Sequence, residues 1–360
     1  MQLVVHVTGA RPNFPKVGPV WKALAARGVQ QRLIHTGQHY DDRMSEVFFR
    51  QLDLPRPDIN LGVGSGSHAV QTANIMVALE QAFLAERPAL VMVYGDINST
   101  VAAALVASKL QIPMAHVEAG LRSFDMTMPE EINRRVTDQL CDLLFVTSPE
   151  AIGHLAHEGM DTARMHFVGN PMIDTLLSSL DKLDPAGVRT EFALPDRYAV
   201  ATLHRPANVD SLDAVRVLVT ALHGVADLVP IYIPLHPRGR ANLVEAGIEG
   251  HPGIHLMDPL GYLEFIAMVR GSALVLTDSG GVQEETTILG VPCLTMRPNT
   301  ERPITISHGT NRLVTVADLV AEAGIALARE PGAAHVTPPL WDGHAGERIA
   351  DIVVSWLEQG

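Results

Sequence analysis

The sequence predicts an α/β protein whose parallel sheets are divided between two domains. Short β-rich apolar runs alternate with longer helical patterns, which is the rhythm of βαβ units. At 360 residues the chain is too long for one ordinary core, and its 47% hydrophobic content can fill two. The rhythm breaks once, over residues 169–195, where a helix-like segment (172–183) leads into a charged, proline-bearing stretch (184–195). The domain boundary is placed within residues 169–195, and a hinge is expected there.

Bulk composition narrows the function classes. Lys plus Arg number 27 against 40 Asp plus Glu, a formal charge of -13, so no general basic surface exists for nucleic acid or anionic lipid. A phosphate site must therefore be local. No apolar stretch approaches the ~20 residues needed to cross a bilayer, and the N-terminus enters a strand without the basic start and long apolar core of a signal peptide. A cytoplasmic location is expected. Cys141 and Cys293 lie far apart in apolar settings and read as buried free thiols. His154 and His157 share an HxxH spacing, but no third ligand follows at zinc spacing, so they read as a solvated helix face rather than a metal site.

Apolar runs at residues 3–7, 90–94, 113–117 and 143–147 give the strands of the first half; runs at 199–203, 231–235, 254–257 and 273–276 give those of the second. In open α/β sheets ligands collect beyond the carboxyl ends of the strands. The chemistry-bearing residues fall at such ends.

The first strand ends in Gly9-Ala10-Arg11-Pro12, with Lys16 about one turn further on. Arg11 offers a planar fork and Lys16 a point charge to a diphosphate. Next, Asp96 closes a strand in Gly95-Asp96-Ile97-Asn98-Ser99, where Asn98 or Ser99 can cap a helix. The neighbouring strand ends in His116-Val117-Glu118-Ala119-Gly120, which sets Glu118 beside Asp96 on one rim. Two carboxylates with a histidine nearby suit general acid and base work, because repulsion and burial drive their pKa values apart. Pro129-Glu130-Glu131-Ile132-Asn133-Arg134 then opens a helix in which Glu130 and Arg134, spaced i, i+4, share a face and can pair.

In the second half, strand ends supply His204-Arg205 and His236. Residues 273–285, ALVLTDSGGVQEE, read as strand, tight turn and helix start. Glycine lets backbone approach a ligand and first-turn N–H groups attract anions, so Ser279-Gly280-Gly281 suits a phosphate. Glu285, one turn on, could accept hydrogen bonds from ribose hydroxyls. Asn299-Thr300-Glu301-Arg302-Pro303 places Arg302 near that loop. Residues 345–357 have helical periodicity, with Ile349, Ile352, Val353 and Trp356 on one face.

Taken together, GARP at 9, GQH at 37, GD at 95, HVEAGLRS at 116, PEEINR at 129, HR at 204, DSGGVQEE at 278, TERP at 300 and DGHAGERI at 342 resemble the non-hydrolysing UDP-N-acetylglucosamine 2-epimerases over nearly the whole chain. The resemblance implies two Rossmann-like domains whose parallel sheets face a central cleft, the glycosyltransferase-B architecture. Its domains would be 1–170, joined by a returning helix at 345–358, and 171–344. It implies reversible conversion of UDP-GlcNAc to UDP-ManNAc by elimination of UDP to 2-acetamidoglucal and re-addition to the opposite face, in a homodimer with no redox cofactor and no required metal. Asp96, Glu118 and Glu130 match the family's acid/base positions, Arg134 its supporting arginine and His204 its histidine at the diphosphate. Arg11, Lys16, Ser279, Gly280, Gly281, Glu285 and Arg302 match nucleotide and phosphate contacts, Phe265 a uracil neighbour, and Arg205 and His236 lie with them.

The chain departs from the family pattern at several points. Ala10 and Asn13 stand where many members read Thr and Glu, and the motif usually written His-Arg-Arg-Glu-Asn is here His204-Arg205-Pro206-Ala207-Asn208. Gln38 and His39 match part of the site where some members bind a second UDP-GlcNAc as activator. The loop at 62–67, however, lacks the arginine that those members supply. Activator dependence is therefore expected to be weak or absent. The rival readings are a hydrolysing epimerase that releases ManNAc and UDP, a UDP-sugar transferase of the same architecture, and a silent UDP-sugar sensor. A sensor would have lost Asp96, Glu118 or Glu130, and all three are present.

Overall fold

The computed structural model describes residues 2–37, 51–52, 54–203, 205, 208, 211–235, 237–329 and 336–359, with the backbone alone at residues 11 and 237–239. The chain forms two compact units, Met1–Ser179 with Pro339–Gly360 and Leu180–Pro338. Both are α/β with wholly parallel sheets, as the alternation of apolar runs and helical patterns predicts.

The first unit holds β1 (Leu3–Thr8), β2 (Gln30–His35), β3 (Ile59–Asn60), β4 (Leu90–Tyr94), β5 (Met114–Ala119), β6 (Leu143–Val146) and β7 (Met165–Phe167), in the order β3-β2-β1-β4-β5-β6-β7. Helices cover both faces of such a sheet, so its central strands are almost uniformly apolar. His6 breaks that pattern in the middle of β1. It is fully buried, with Tyr94 Oη 2.6 Å from Nδ1 and Gln31 Oε1 2.9 Å from Nε2, and burial pushes its pKa down to about 4. It is a satisfied core histidine.

The second unit holds β8 (Ala199–Thr202), β9 (Ile231–Pro234), β10 (Ile254–Met257), β11 (Leu274–Thr277), β12 (Cys293–Thr295) and β13 (Asn311–Leu313), in the order β10-β9-β8-β11-β12-β13. Its core gathers Val215, Leu218, Leu222 and Val225 from one face of the helix Leu212–Ala226 against Ala199, Ala201, Ile231 and Ile233 of the sheet.

In each sheet the strand order reverses direction once, between β1 and β4 and between β8 and β11. Loops leaving the two strands at such a point turn to opposite sides and open a crevice at their carboxyl ends. Gly9–Lys16 and Gly95–Asn98 leave the first crevice; Arg205 and Asp278–Gly281 leave the second.

The helix Ala345–Gln359 belongs to the first unit and packs on the helices Phe14–Ala26 and Pro171–Ser179. It buries Ile349, Val353 and Leu357, spaced i, i+4, i+8, while Ile352 and Trp356 flank that seam half-buried. Trp341, just before it, donates its indole N–H to Thr147 O at 2.9 Å.

Candidate active site

The carboxyl end of β4 is tied to that of β1 by one side chain. Asn13 Oδ1 accepts from the amides of Gly9 and Ala10, both at 3.2 Å, while its Nδ2 donates to Tyr94 O at 2.9 Å. The amide thus spans the crevice where the strand order reverses. Three residues on, Lys16 reaches across to ion-pair with Glu118; both side chains are buried. Lys16, expected at a diphosphate, is thus ion-paired with a carboxylate in this structure.

Glu118 occupies an unusual backbone. Its φ is +80°, and the β5–β6 register shifts between Val117 and Ala119, so the glutamate sits on a β-bulge. Bulges re-aim side chains, and a left-handed non-glycine residue costs about 1–3 kcal/mol, so such residues cluster at functional sites. A β-carbon on Gly95 would come 3.2 Å from Lys16 Nζ and 3.3 Å from Glu118 Oε2, with Gly95 itself at φ +66°. Glycine there leaves room for the ion pair directly beside Asp96. A buried pair adds little net stability over apolar filler, whereas removing one partner costs about 3–5 kcal/mol. The Lys16–Glu118 pair is thus better explained by a task than by stability.

Asp96 is the more exposed carboxylate, at 29% of its side chain, and it pairs with Arg134 at 2.5 Å. The i, i+4 pairing expected of Glu130 with Arg134 is not the one found. Arg134 instead meets Glu131 Oε2 through Nη2 at 2.6 Å and through Nε at 3.1 Å. The reason is local. Glu131 is buried, and its carboxylate also accepts from Ser123 N (2.9 Å), Ser123 Oγ (3.0 Å) and Phe124 N (3.2 Å), which fixes it against the arginine. Burial works to raise the Glu131 pKa, but these donors and the Arg134 charge hold it below the usual carboxylate range. Glu130, one residue earlier in the first helical turn, is half-buried.

Neither Asn98 nor Ser99 caps the helix Asn98–Lys109. Ile97 is its N-cap, without a side-chain hydrogen bond. Asn98 is buried and donates to Gln71 Oε1 at 2.8 Å, and Asn133 Nδ2 donates to Asp96 O at 2.9 Å, so these amides brace the Asp96 turn. His154 is not a solvated residue either: Nδ1 lies 2.9 Å from Gly120 O and the ring meets Phe124 edge-on. Among the described residues no cluster of three His, Cys, Asp or Glu side chains could hold a metal ion. Cys141 and Cys293 are buried free thiols, as expected.

In the second unit the helix Gly280–Leu289 starts at the carboxyl end of β11. Ser279 is its N-cap, but its side chain makes no cap hydrogen bond. Arg302 lies against this start, 2.5 Å from where a Gly280 β-carbon would be, and is held by Glu284 at 2.9 Å and Glu301 at 3.5 Å. Glu301 also receives Arg297 through both oxygens (2.9 and 2.7 Å) and Arg205 at 3.5 Å. One buried carboxylate thus collects three guanidinium groups beside a helix N-terminus. Asp278 is buried and accepts from Arg205 N (3.0 Å) and Asn208 Nδ2 (3.1 Å), tying the β8 loop to the β11 loop.

Glu285 is buried, and its pKa is pushed up to about 8 by burial and by the charge of Glu284, against the opposing influence of the Tyr262 hydroxyl. Phe265 lies one turn after Tyr262 on the same helix and therefore on the same face, half-buried on the core. His204, His236, Gln38 and His39, and the side chain of Arg11, lie outside the described residues.

Several site residues escaped sequence reading. Asn13, Glu131 and Glu301 sat inside motifs already singled out, but their roles depend on partners remote in sequence. Gln283 lies inside the motif DSGGVQEE, which by itself gives it no role. It is fully buried, donates to Ser279 O at 3.0 Å and accepts from Thr300 Oγ1 (2.7 Å) and Asn311 Nδ2 (3.0 Å), so it staples the helix start to the Arg302 loop. An amide side chain two residues after a glycine pair was the available signal.

Comparison with known proteins places relatives over nearly the whole chain. A family model described as UDP-N-acetylglucosamine 2-epimerase matches residues 22–354. A UDP-N-acetylglucosamine 2-epimerase of Methanocaldococcus jannaschii is 40% identical over 96% of this chain and 97% of its own. A UDP-2,3-diacetamido-2,3-dideoxy-D-glucuronate 2-epimerase of Pseudomonas aeruginosa is 42% identical over 89% of this chain and 90% of its own. The crystal structure of the Methanocaldococcus jannaschii enzyme in complex with UDP-GlcNAc and UDP superposes with a TM-score of 0.91 at 39% identity, covering 99% of this chain and all of that one.

Proposed function

The chain belongs to the UDP-N-acetylglucosamine 2-epimerase family, and on that premise we propose that it interconverts UDP-GlcNAc and UDP-ManNAc without releasing free sugar. The observation that carries the proposal is the placement of Glu118 on a strained bulge beside the Asp96 turn, each carboxylate held by a cation from another element. C2 of the sugar carries an unactivated proton. Removing it requires a positioned base, and the electron pair left behind becomes the C1=C2 double bond as the C1–O bond to UDP breaks. The product of that half-reaction is 2-acetamidoglucal. Return of a proton to the opposite face of C2, with a diphosphate oxygen attacking C1, completes the inversion with no net redox change. Asp96, Glu118 and Glu130 are the proton carriers of this reading, and Arg134 sets the orientation of Asp96.

The departing diphosphate needs positive charge and amide donors fixed before reaction. The Ser279–Gly281 helix start and Arg302 supply both, which assigns them the diphosphate; Arg205 joins them through Glu301. Glu285 is assigned the ribose hydroxyls and Phe265 the uracil. We read the chain as a cytoplasmic homodimer, with the exposed apolar residues Val70, Val77 and Leu84 along the helix His68–Glu86 as the contact. Light scattering of the purified protein checks this, and a monomeric mass at micromolar concentration refutes it.

The test of activity is proton NMR with UDP-GlcNAc in D2O and no added cofactor. UDP-ManNAc carrying deuterium at C2 is expected. Free ManNAc plus UDP would instead mean hydrolysis, and an untouched spectrum with either epimer would refute the reaction. The Pseudomonas relative favours a second substrate, a UDP-2,3-diacetamido-glucuronate, for the same inversion. Running both sugars side by side decides between them by kcat/KM.

A further inference from the structure

The epimerase reading names the carboxylates that move protons, and the following inference rests on it. Asp138 is fully buried in the helix Pro129–Leu140. Its Oδ1 meets His116 Nδ1 at 2.6 Å, and its Oδ2 accepts from Gly120 N at 3.1 Å and from Arg122 at 2.7 Å. His116 Nε2 in turn lies 2.8 Å from Gly95 O. His116 and Gly120 stand two residues before and two after Glu118, and Gly95 immediately precedes Asp96. One carboxylate therefore grips the chain on both sides of the Glu118 bulge and, through an imidazole, the turn that carries Asp96.

We propose that Asp138, acting through His116, is a positioning residue that locks the Glu118 bulge and the Asp96 turn into one rigid acid/base frame. The imidazole of His116 is a bridge, with Nδ1 at hydrogen-bond distance from the Asp138 carboxylate and Nε2 at hydrogen-bond distance from the Gly95 carbonyl oxygen. Burial alone would favour a protonated Asp138, but His116 and Arg122 hold its pKa below the usual carboxylate range, which keeps it an acceptor. Arg122 is anchored on its far side by Glu158, Nε to Oε1 at 2.9 Å and Nη2 to Oε2 at 2.7 Å. None of these groups needs to touch substrate. A glutamate at φ +80° would drift toward a relaxed backbone unless both flanks were fixed, and small misplacement of a catalytic group costs about 100-fold in rate.

The test compares Asp138→Asn, His116→Asn and His116→Gln with the parent in the full chain. Asn and Gln each offer a single donor nitrogen, so either His116 variant breaks one arm of the bridge. The expected result is a fall in kcat of about 100-fold with KM for UDP-GlcNAc and Kd for UDP within about threefold, because the nucleotide contacts are untouched. A kcat within threefold of the parent in a folded variant overturns the proposal. Amide exchange is a readout that needs no activity. In Asp138→Asn, exchange should accelerate at residues 95–97 and 116–122 together; unchanged exchange at either segment also overturns it. Should Asp138→Asn not fold, the two His116 variants carry the same measurements. A parent protein inactive on UDP-sugars would refute the epimerase reading, while the exchange data would still decide whether the frame exists.

Discussion

Arg302 lies so close to Gly280 that a β-carbon on the glycine would come within 2.5 Å of the guanidinium Nη1. The arginine has no easy retreat, because Glu284 and Glu301 both hold it. Gly280→Ala should therefore displace Arg302 from the helix start and weaken UDP binding about tenfold, the equivalent of ~1.4 kcal/mol. Isothermal titration of UDP checks this. Arg302→Ala should produce a similar loss, and the double variant should lose less than the sum, because both changes remove one interaction. Full additivity would mean that the close approach has no bearing on nucleotide.

Glu118→Gln and Asp96→Asn preserve shape while removing the capacity to carry a proton. Each should lower kcat by about 10²–10⁴-fold, the usual range for a general acid or base. Glu118→Gln also leaves Lys16 buried without its carboxylate, so its stability should fall as well; Asp96, more exposed, should show a smaller loss. Deuterium incorporation at C2 and thermal melts separate the two effects. A variant that melts normally yet turns over within threefold of the parent removes that carboxylate from the proton-transfer role.

The α/β class was legible because a parallel sheet buried on both faces writes itself as apolar runs, and β1, β4, β6, β8 and β11 do so. β2 opens with Gln30-Gln31-Arg32 near the sheet edge, and β12 and β13 are three residues each, so they carried too little apolar signal. Asp96, Glu118 and Arg302 were legible because they sit at strand ends in short motifs. The pairing of Arg134 was not. Helix spacing favoured Glu130 and Glu131 almost equally, and the choice was made by Ser123 and Phe124, loop residues whose position no helical period reveals. Likewise nothing in the sequence marks Glu118 as left-handed, because the bulge arises from the pairing of β5 with β6.

Glu285 should make nucleotide affinity depend on pH. Burial, with the Glu284 charge, raises its pKa from 4.5 to about 8, so the empty site holds a proton at pH 7. Ribose hydroxyls that donate to the ionised carboxylate favour the charged form, so binding releases a proton below pH 8. UDP affinity is expected to rise from pH 6 to pH 8 and level off above. Titrations in buffers of different ionisation enthalpy measure the proton released, and Glu285→Gln should flatten the profile. Proton uptake on binding would contradict the ribose assignment.

The loop at 62–67 bears no arginine, so a second substrate molecule has less to hold it. Initial rates should follow a hyperbola in UDP-GlcNAc, and UDP-ManNAc alone should be turned over. A strongly sigmoidal curve with no turnover of UDP-ManNAc alone would place an activator on the enzyme.

Asp174 joins the helix Pro171–Ser179 to the start of the C-terminal helix, accepting from Gly346 N at 2.7 Å. Loss of a helix-capping acceptor costs typically ~1 kcal/mol, so at pH 4, where the folded parent holds Asp174 protonated, Asp174→Ala should destabilise the protein by about that amount. Asp174→Asn should behave differently. Burial, with the Asp342 charge, raises the Asp174 pKa from 3.8 to about 6, against the amides of Gly346 and Ala345 and the charge of His344. The folded state therefore holds this proton more tightly than the unfolded chain, and stability falls as pH rises from about 4 to 6. Asparagine keeps an acceptor oxygen for Gly346 and escapes that penalty. Thermal melts should find Asp174→Asn no more stable than the parent at pH 4 and more stable at pH 7, with the gap opening through pH 4–6. A gap that is constant across that range would show that ionisation of Asp174 does not oppose the fold.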